Sequence, residues 1–332
     1  MFMRTKNLKP ASGFTLLELV IVLAILAVVT ALATRELGKV EEQRRFETSQ
    51  QGLEEIETAV LGSDRDRGPD GSRIVSGFAA DMGRLPVATA ETLNLDGNSV
   101  DALTLAELWI KPPPAFLFDL REASFANGVD LDKVDPQVRV PGGWHGPYLR
   151  LPADGHTALD GWGNPYLNPV SGSTLLPRLI DPDGAIIATA GQYIGGIKHF
   201  GADGLEGGTG YDRDEQKNFA DQGYTATLKG TVDVLDESGH PDVSSADKIT
   251  VRVFSPDPAD VRKILVVEAP TDANFLYTVP GLVVGPRVVR AYYRTNATDP
   301  KTSRGSGVKT VTLRPGTNQL DLTIDRAVIV PP

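Results

Sequence analysis

The apolar positions near the start of the chain predict one long helix. Residues 14–34 are mostly apolar, carry a single charge, Glu18, and contain no proline. Apolar side chains then recur at helical spacing, as at Leu53 and Ile56. The pattern predicts a helix over residues 14–61, about 72 Å long at 1.5 Å per residue, whose first half is apolar on all sides and whose second half is amphipathic.

Beyond residue 224 the apolar positions alternate with polar ones in seven short runs. Turn signals such as Pro280-Gly281 and Pro315-Gly316 separate the runs. Short alternating strands at this spacing predict a β-sandwich over residues 225–332. Residues 275–282, followed by Gly285, resemble the carboxypeptidase-regulatory or transthyretin-like sandwich. The runs cover residues 226–235, 249–254, 264–267, 275–279, 287–293, 309–313 and 319–324.

Residues 62–224 form an irregular middle region between these two patterns. The breaker-rich segment 62–71 ends the predicted helix, because glycine and proline interrupt helical hydrogen bonding. Residues 115–140 are polar with scattered apolar positions and are interpreted as an insertion.

The start of the predicted helix contains charged residues at specific positions. Three basic residues precede Gly13-Phe14, and Glu18 follows within the apolar run. A carboxylate placed so deep in an apolar segment is costly in lipid and marks a functional position. This arrangement resembles the class III signal of type IV prepilins and type II secretion pseudopilins. The resemblance implies that a prepilin peptidase cuts after Gly13, that Phe14 is then methylated, and that Glu18 pairs with the amine of a neighbouring subunit.

Two simpler interpretations remain open for this segment. An ordinary secretory signal has an apolar stretch of about 7–15 residues and a small-residue cleavage site after it, whereas this run is longer and contains Glu18. A plain single-pass anchor fits the length of about 20 apolar residues but leaves Glu18 unexplained. In each membrane-bound case the basic residues before the run place the N-terminus in the cytoplasm and the rest of the chain outside.

Three short strings in the middle region resemble the major pseudopilins of type II secretion. They are residues 82–86 (Met-Gly-Arg-Leu-Pro), 146–149 (Gly-Pro-Tyr-Leu) and 160–166 (Asp-Gly-Trp-Gly-Asn-Pro-Tyr). Glycine and proline favour tight turns, and the aromatic residues are expected to cover a small core. The strings therefore support the fold rather than any chemistry.

A glycine-rich acidic segment, residues 199–215, follows a predicted strand. Its glycines allow the backbone to wrap around an ion, and its acids supply the oxygen ligands that calcium prefers. The segment resembles the calcium loop of major pseudopilins, which implies Asp203, Asp212 and Asp214 as ligands of a structural calcium ion. Arg213, between two of these acids, departs from the family pattern. The alternative is an acidic, solvated loop without an ion, and the EF-hand pattern is absent.

Composition narrows the range of functions. The net charge is −10, and residues 1–13 carry three positive charges and no acid, so the chain without them has a net charge of −13. A chain this acidic is not expected to bind nucleic acid, which requires a basic surface. There is no cysteine, so disulfides and thiolate metal sites are excluded. The four histidines stand apart in the sequence and no P-loop or nucleophile elbow is present, so no enzyme is expected.

Together these features predict an α+β chain with a pilin fold. In that fold a long transmembrane helix packs on a small antiparallel sheet with a Gly/Asp-rich loop, and here an all-β sandwich follows. The predicted divisions are a leader (1–13), an assembly helix (14–61), a pseudopilin-like domain (62–224) and the sandwich (225–332). The expected function is a structural subunit of a type IV pilus-like or type II secretion pseudopilus filament. The alternative is an adhesin or binding module, presented on a filament or anchored in the membrane, that acts through the sandwich.

The predicted partners follow from the same resemblance. They are copies of the chain or other pilins, the prepilin peptidase, the inner-membrane assembly machinery and, before assembly, the lipid bilayer. The expected location is the inner membrane before assembly and a periplasmic or extracellular filament afterwards.

Overall fold

The computed structural model places one long helix before two β-rich regions. It describes residues 15–63, 76–95, 97–113, 115, 117–122, 138–151, 155–170, 174–219, 223–242, 246–294 and 303–326. Among these residues the architecture is a long N-terminal helix followed by antiparallel and mixed sheets, which confirms the predicted α+β fold with a sandwich.

Helix α1 (Leu16–Leu61) has 46 residues, about 69 Å at 1.5 Å per residue. Thr15 begins the helix through a capping box with Glu18, and Gly62, with φ of +82°, ends it. Large apolar side chains from Leu16 to Val40 are exposed, whereas those from Phe46 onward, such as Leu53, are buried. The helix therefore extends from its own domain over about two thirds of its length, from Leu16 to Arg45.

In the middle region a five-residue helix, α2 (Phe78–Met82), and two small sheets share a core with the end of α1, and a third small sheet lies against the sandwich. Strands β1, β2 and β5 form one antiparallel sheet, β6, β7 and β8 form another, and β3 pairs with β4. These strands are β1 (Thr89–Leu95), β2 (Asn98–Thr104), β3 (Asp119–Glu122), β4 (Arg139–Gly142), β5 (Asn168–Pro169), β6 (Leu179–Ile180), β7 (Gly196–Phe200) and β8 (Asp214–Asn218).

The C-terminal region is a sandwich of two sheets, and each of the seven predicted runs overlaps a strand. One sheet has the order β11-β10-β13-β14 with β15 also paired to β13; the other is built on β9, which pairs with β12, β16 and β17. Inward side chains of both sheets, such as Val251 and Leu228, share one core. The strands are β9 (Thr225–Leu235), β10 (Ile249–Pro256), β11 (Ile264–Pro270), β12 (Leu276–Val283), β13 (Gly285–Arg294), β14 (Ser303–Gly305), β15 (Lys309–Leu313), β16 (Gly316–Gln319) and β17 (Leu322–Asp325).

The middle region and the sandwich are packed directly against each other. Val138 and Val140, beside and within β4, form a buried cluster with Phe254 of β10 and Val288 of β13. Val138 and Val140 lie at the end of the segment 115–140, which is interpreted as an insertion. This end of the segment covers the outer face of a sandwich sheet. Burial on both faces explains why β10 has so few exposed residues.

Candidate functional site

The only acid in the apolar run of α1, residues 16–34, is held at the first turn of the helix. Glu18 accepts hydrogen bonds from the backbone N–H of Thr15 at 2.8 Å and from the Thr15 hydroxyl at 2.9 Å. The Glu18 N–H in turn donates to Thr15 Oγ1 at 3.2 Å. This capping box fixes the carboxylate at the start of the helix. The predicted cleavage residues, Gly13 and Phe14, lie outside the described residues.

None of the residues that the structure describes covers the apolar run of α1. Its large apolar side chains from Leu16 to Leu32 are 44–82% exposed. An 18-residue window of the helix has a mean hydropathy of 2.9 and none of it is buried. By length and composition this is the one helix, among the residues that the structure describes, able to cross a membrane. Water is a poor surrounding for such a surface, so lipid or other helices are its suitable neighbours.

The other half of α1 is fixed to the middle region by one of the predicted turns. The N–H of Gly161 donates to the Ser49 hydroxyl at 2.8 Å. A Cβ on Gly161 would lie 1.9 Å from the carbonyl oxygen of Arg45, so only glycine allows this approach. Asp160, whose side chain is fully buried, accepts from the Trp162 N–H and from Arg178, which holds the turn in shape. The string 160–166 therefore attaches α1 to the middle region.

The glycine-rich segment forms the connection between β7 and β8, and it carries the three predicted calcium ligands. Asp203 Oδ1 accepts from the Leu205 N–H at 3.1 Å, and Asp214 Oδ2 accepts from the Gly207 N–H at 3.0 Å. Asp212 lies in a single 3-10 turn (Gly210–Asp212). The backbone of Asp212 is approached so closely by Gly208 that a Cβ there would be 2.4 Å from its carbonyl oxygen.

The loop fits a calcium ion only in part. Asp214 Oδ1 is buried and has no hydrogen-bond partner, which leaves one oxygen ready for a cation. Within the described residues, however, no group of three or more His, Cys, Asp or Glu side chains is placed to hold a metal ion. Glu215 is engaged elsewhere, because it accepts from Gln50 of α1 and pairs with Arg213.

His199 lies under this loop and is fully buried against α1. Its ring packs edge-on to Phe46 with centroids 5.7 Å apart and lies 5.9 Å from the Trp162 ring. Neither ring nitrogen has a hydrogen-bond partner. Burial lowers the pKa of His199, opposed by the nearby carboxylate of Glu215. The imidazole therefore acts as a neutral aromatic side chain in this contact.

Sequence reasoning missed a second group of buried polar residues, where α2 meets the sandwich. Burial raises the pKa of Asp81 to about 6, against the hydrogen bond that the Tyr148 hydroxyl donates to it at 2.9 Å. His145 Nδ1 lies 3.8 Å from the same carboxylate. Arg287 is fully buried, and burial lowers its pKa to about 10. The group joins residues about 200 positions apart, so no local signal could have revealed it.

Comparison with known proteins bears on the N-terminus. Residues 8–34 match the family described as the prokaryotic N-terminal methylation motif. This stretch includes Gly13, Phe14 and Glu18. No curated protein matches the chain.

Solved structures match only a part of the chain. One is a candidate carbohydrate-binding protein from Pseudomonas aeruginosa, with 16% identity over 30% of this chain and 89% of that chain and a TM-score of 0.22. A DUF3823 family protein from Parabacteroides merdae matches with 14% identity over 31% of this chain and 46% of that chain, with a TM-score of 0.20. Chlorocatechol 1,2-dioxygenase from Pseudomonas putida matches with 16% identity over 31% and 61%, with a TM-score of 0.20. None of these similarities bears on function.

The N-terminal match and the fold agree with each other. The matched residues lead directly into an exposed apolar helix with a lone acid at its first turn. The motif supports processing by prepilin peptidase, and the helix suggests anchoring in a membrane. The chain thus carries the N-terminal methylation motif that is characteristic of type IV pilin and pseudopilin leaders, followed by a β-rich region that ends in a sandwich.

Proposed function

We propose that this chain is a structural subunit of a type IV pilus-like or type II secretion pseudopilus filament. It is cut after Gly13, methylated on Phe14 and assembled through α1. The observation that carries the proposal is Glu18, a lone acid on an uncovered apolar helix within the methylation motif. A simple anchor has no need for that carboxylate, whereas a subunit that must find a neighbour in lipid does.

The mechanism of assembly begins with the cost of a carboxylate in lipid. Glu18 satisfies part of its hydrogen-bonding capacity within its own helix, through Thr15. A carboxylate offers about four lone-pair sites, so Glu18 can still accept a charged donor. The methylated amine of Phe14 on a neighbouring subunit supplies that donor. An ion pair formed in a water-poor setting is much stronger than one in water, so it selects the axial register between subunits.

Packing of helices supplies the remaining interaction. The exposed apolar side chains of the first half of α1 can pack against their copies once the subunits leave the bilayer. The second half of α1 stays fixed to its own domain through Ser49 and the Gly161 turn. Each subunit thereby places its globular regions on the outside of a helical core. The proposed role requires no catalysis.

Replacement of Glu18 tests the proposal. Glu18→Gln keeps the size of the side chain and removes its charge, so we expect cleavage after Gly13 to continue and filaments to be lost. The matched control is Glu36→Gln, on the same helix, where the side chain is 68% exposed and pairs with Lys39. N-terminal sequencing and electron microscopy of sheared filaments read the two steps separately. Normal filaments from Glu18→Gln would contradict the role.

The alternative function, an adhesin or binding module, rests on the sandwich. This region consists of two sheets around a core of inward-facing side chains. Antibody fragments against the sandwich should then block attachment or secretion by cells while leaving filaments intact. If filaments persist and neither activity changes, the sandwich has no presenting role.

We also propose calcium as a structural ion of the β7–β8 loop, with Asp203, Asp212 and Asp214 as its ligands. The support is the buried, unpartnered Asp214 Oδ1 in a glycine-rich loop. Binding of a hard cation by a folded loop adds to the stability of the fold.

A further inference from the structure

Helix α2 belongs to two cores at once. Phe78, Ala79 and Met82 are buried in the core of the middle region together with α1. Ala80, on the opposite side of the same short helix, is 1% exposed and lies in the core of the sandwich. A five-residue helix has too few residues to be stable alone, so both cores are needed to hold it.

The exchange of side chains between the two regions is reciprocal. Val261, from the connection between β10 and β11 of the sandwich, is buried in the core of the middle region. Val138 and Val140 of the middle region are buried on the outer face of the sandwich sheet. Each region therefore completes the core of the other, unlike two domains that are merely tethered.

Close backbone contact is the second feature of this junction. Gly285 has φ of +116°, and a Cβ there would lie 2.8 Å from the Cα of Ala80. Gly83 has φ of +69°, and a Cβ there would lie 2.9 Å from the carbonyl oxygen of Pro256. The two backbones thus touch at positions where only glycine provides both the conformation and the space.

A buried charge crosses the same contact. Arg287 of β13 is fully buried and donates to the Ala80 carbonyl at 3.3 Å, and also to Val284 O at 2.9 Å and Pro286 O at 2.7 Å. Asp81, the neighbour of Ala80, attracts it electrostatically. Ala80 and Asp81 belong to the middle region, whereas Val284 and Pro286 lie beside Arg287 in the sandwich, so separation of the two regions would take the first two partners away from the guanidinium and is costly.

We propose that α2 joins the middle region and the sandwich into one cooperative folding unit without a hinge. The sandwich is then carried at a fixed orientation relative to α1. This inference holds whether or not the chain assembles into a filament, because it depends only on the junction within one subunit. It also means that deletion of residues 225–332 would expose Ala80, Val138 and Val140 and would not leave an intact remainder.

Unfolding of the full chain in detergent micelles tests the proposal. All three tryptophans, Trp109, Trp144 and Trp162, lie in the middle region, so their fluorescence reports that region alone. Hydrogen exchange of peptides from β9 and β13 reports the sandwich. We expect both to show the same urea midpoint. Two separate midpoints in the wild-type chain would overturn the proposal.

Two glycine substitutions make the test specific. Gly281 has φ of +70° and open space around its Cβ position, so Gly281→Ala strains the sandwich away from the junction. If the two regions unfold as one unit, Gly281→Ala lowers the urea midpoint of the middle region and that of the sandwich equally. A shift of the sandwich midpoint alone would contradict the proposal. Gly285→Ala adds a clash with Ala80, so it should lower both midpoints further than Gly281→Ala does. If the two variants lower the midpoints equally, the contact between Gly285 and α2 does not couple the two regions.

Discussion

The middle region buries a neutral group where it contacts α1 and a charged group where it contacts the sandwich. At α1 it buries a neutral imidazole, His199, between aromatic rings. At the sandwich it buries a guanidinium, Arg287, near a carboxylate, Asp81. Both contacts are closely packed and both use glycine for close approach. They differ in how protons affect them, so pH separates the stability of one contact from that of the other.

The largest expected effect removes packing at α1. Leu53 is 1% exposed in the core of the middle region, so Leu53→Ala should lower the free energy of unfolding by about 2–5 kcal/mol. The matched control is Leu23→Ala on the same helix, where the side chain is 57% exposed. Urea unfolding should detect no change in the control. A similar loss in both variants would show that the two halves of α1 do not differ as described.

The junction between the middle region and the sandwich should become more stable in acid, because Asp81 is then protonated. Burial raises the pKa of Asp81 from 3.8 to about 6, so the folded chain binds more protons between these values than the unfolded chain does. This contribution is greatest below pH 3.8 and falls by on the order of 2–3 kcal/mol as the pH rises to about 6. Tyr148, His145 and Arg287 face the carboxylate and are the groups that modify this dependence.

Asp81→Asn is the variant that checks this pH dependence. It keeps an acceptor for the Tyr148 hydroxyl and removes the titration. The difference in unfolding free energy between wild type and variant should then change with pH between 4 and 6 and be constant above pH 7. A difference that is constant throughout would mean that the carboxylate does not titrate in this range.

Calcium should stabilise the contact with α1 and not the contact with the sandwich, because the β7–β8 loop adjoins α1 through Glu215 and Gln50. At ten times its dissociation constant, calcium would stabilise the fold by about 1.4 kcal/mol. We expect calcium, but not magnesium, to raise the melting temperature, and Asp214→Asn to abolish the rise. Asp233→Asn, on β9 of the sandwich, is the control. No shift with calcium in the wild-type chain would identify the loop as solvated and free of metal.

The smallest expected effect is at His199. Because burial lowers its pKa below 6.5, its contribution is present above pH 6.5 and is lost as the pH falls through the lower folded-state value. Acid should therefore weaken the α1 contact, opposite to the effect at Asp81. Glu215, Asp160 and Asp214 oppose the loss, and Arg178 favours it.

His199→Phe should remove this slope, since it keeps an aromatic ring against Phe46 and has no titrating group. The exposed His240, replaced by Gln, is the control. Both are read from unfolding free energies between pH 5 and 8. An unchanged slope in His199→Phe would mean that another group causes the acid sensitivity.

The sequence predicted those features that depend on local periodicity. Helical spacing of Leu53 and Ile56 predicted α1, and alternation predicted the strands of the sandwich, because each pattern is repeated within one element. The Gly13-Phe14 junction and Glu18 predicted the methylation motif. Their proposed roles in cleavage and assembly, like the calcium ligands, remain predictions.

The junction between the middle region and the sandwich could not be predicted from the sequence. Helix α2 has five residues, too few to show a period, and its partners lie about 200 positions away. Arg287 occurs in an alternating strand, where a charged residue ordinarily indicates a solvent-facing position, yet it is fully buried. Such contacts arise from tertiary packing, which no window of sequence records.

The most direct test of the central claim is the intact mass and N-terminal sequence of the native protein extracted from membranes. We expect a chain that begins at N-methylated Phe14. A chain that begins at Met1, or one cut near Thr34, would contradict processing at Gly13 and the filament role built on it.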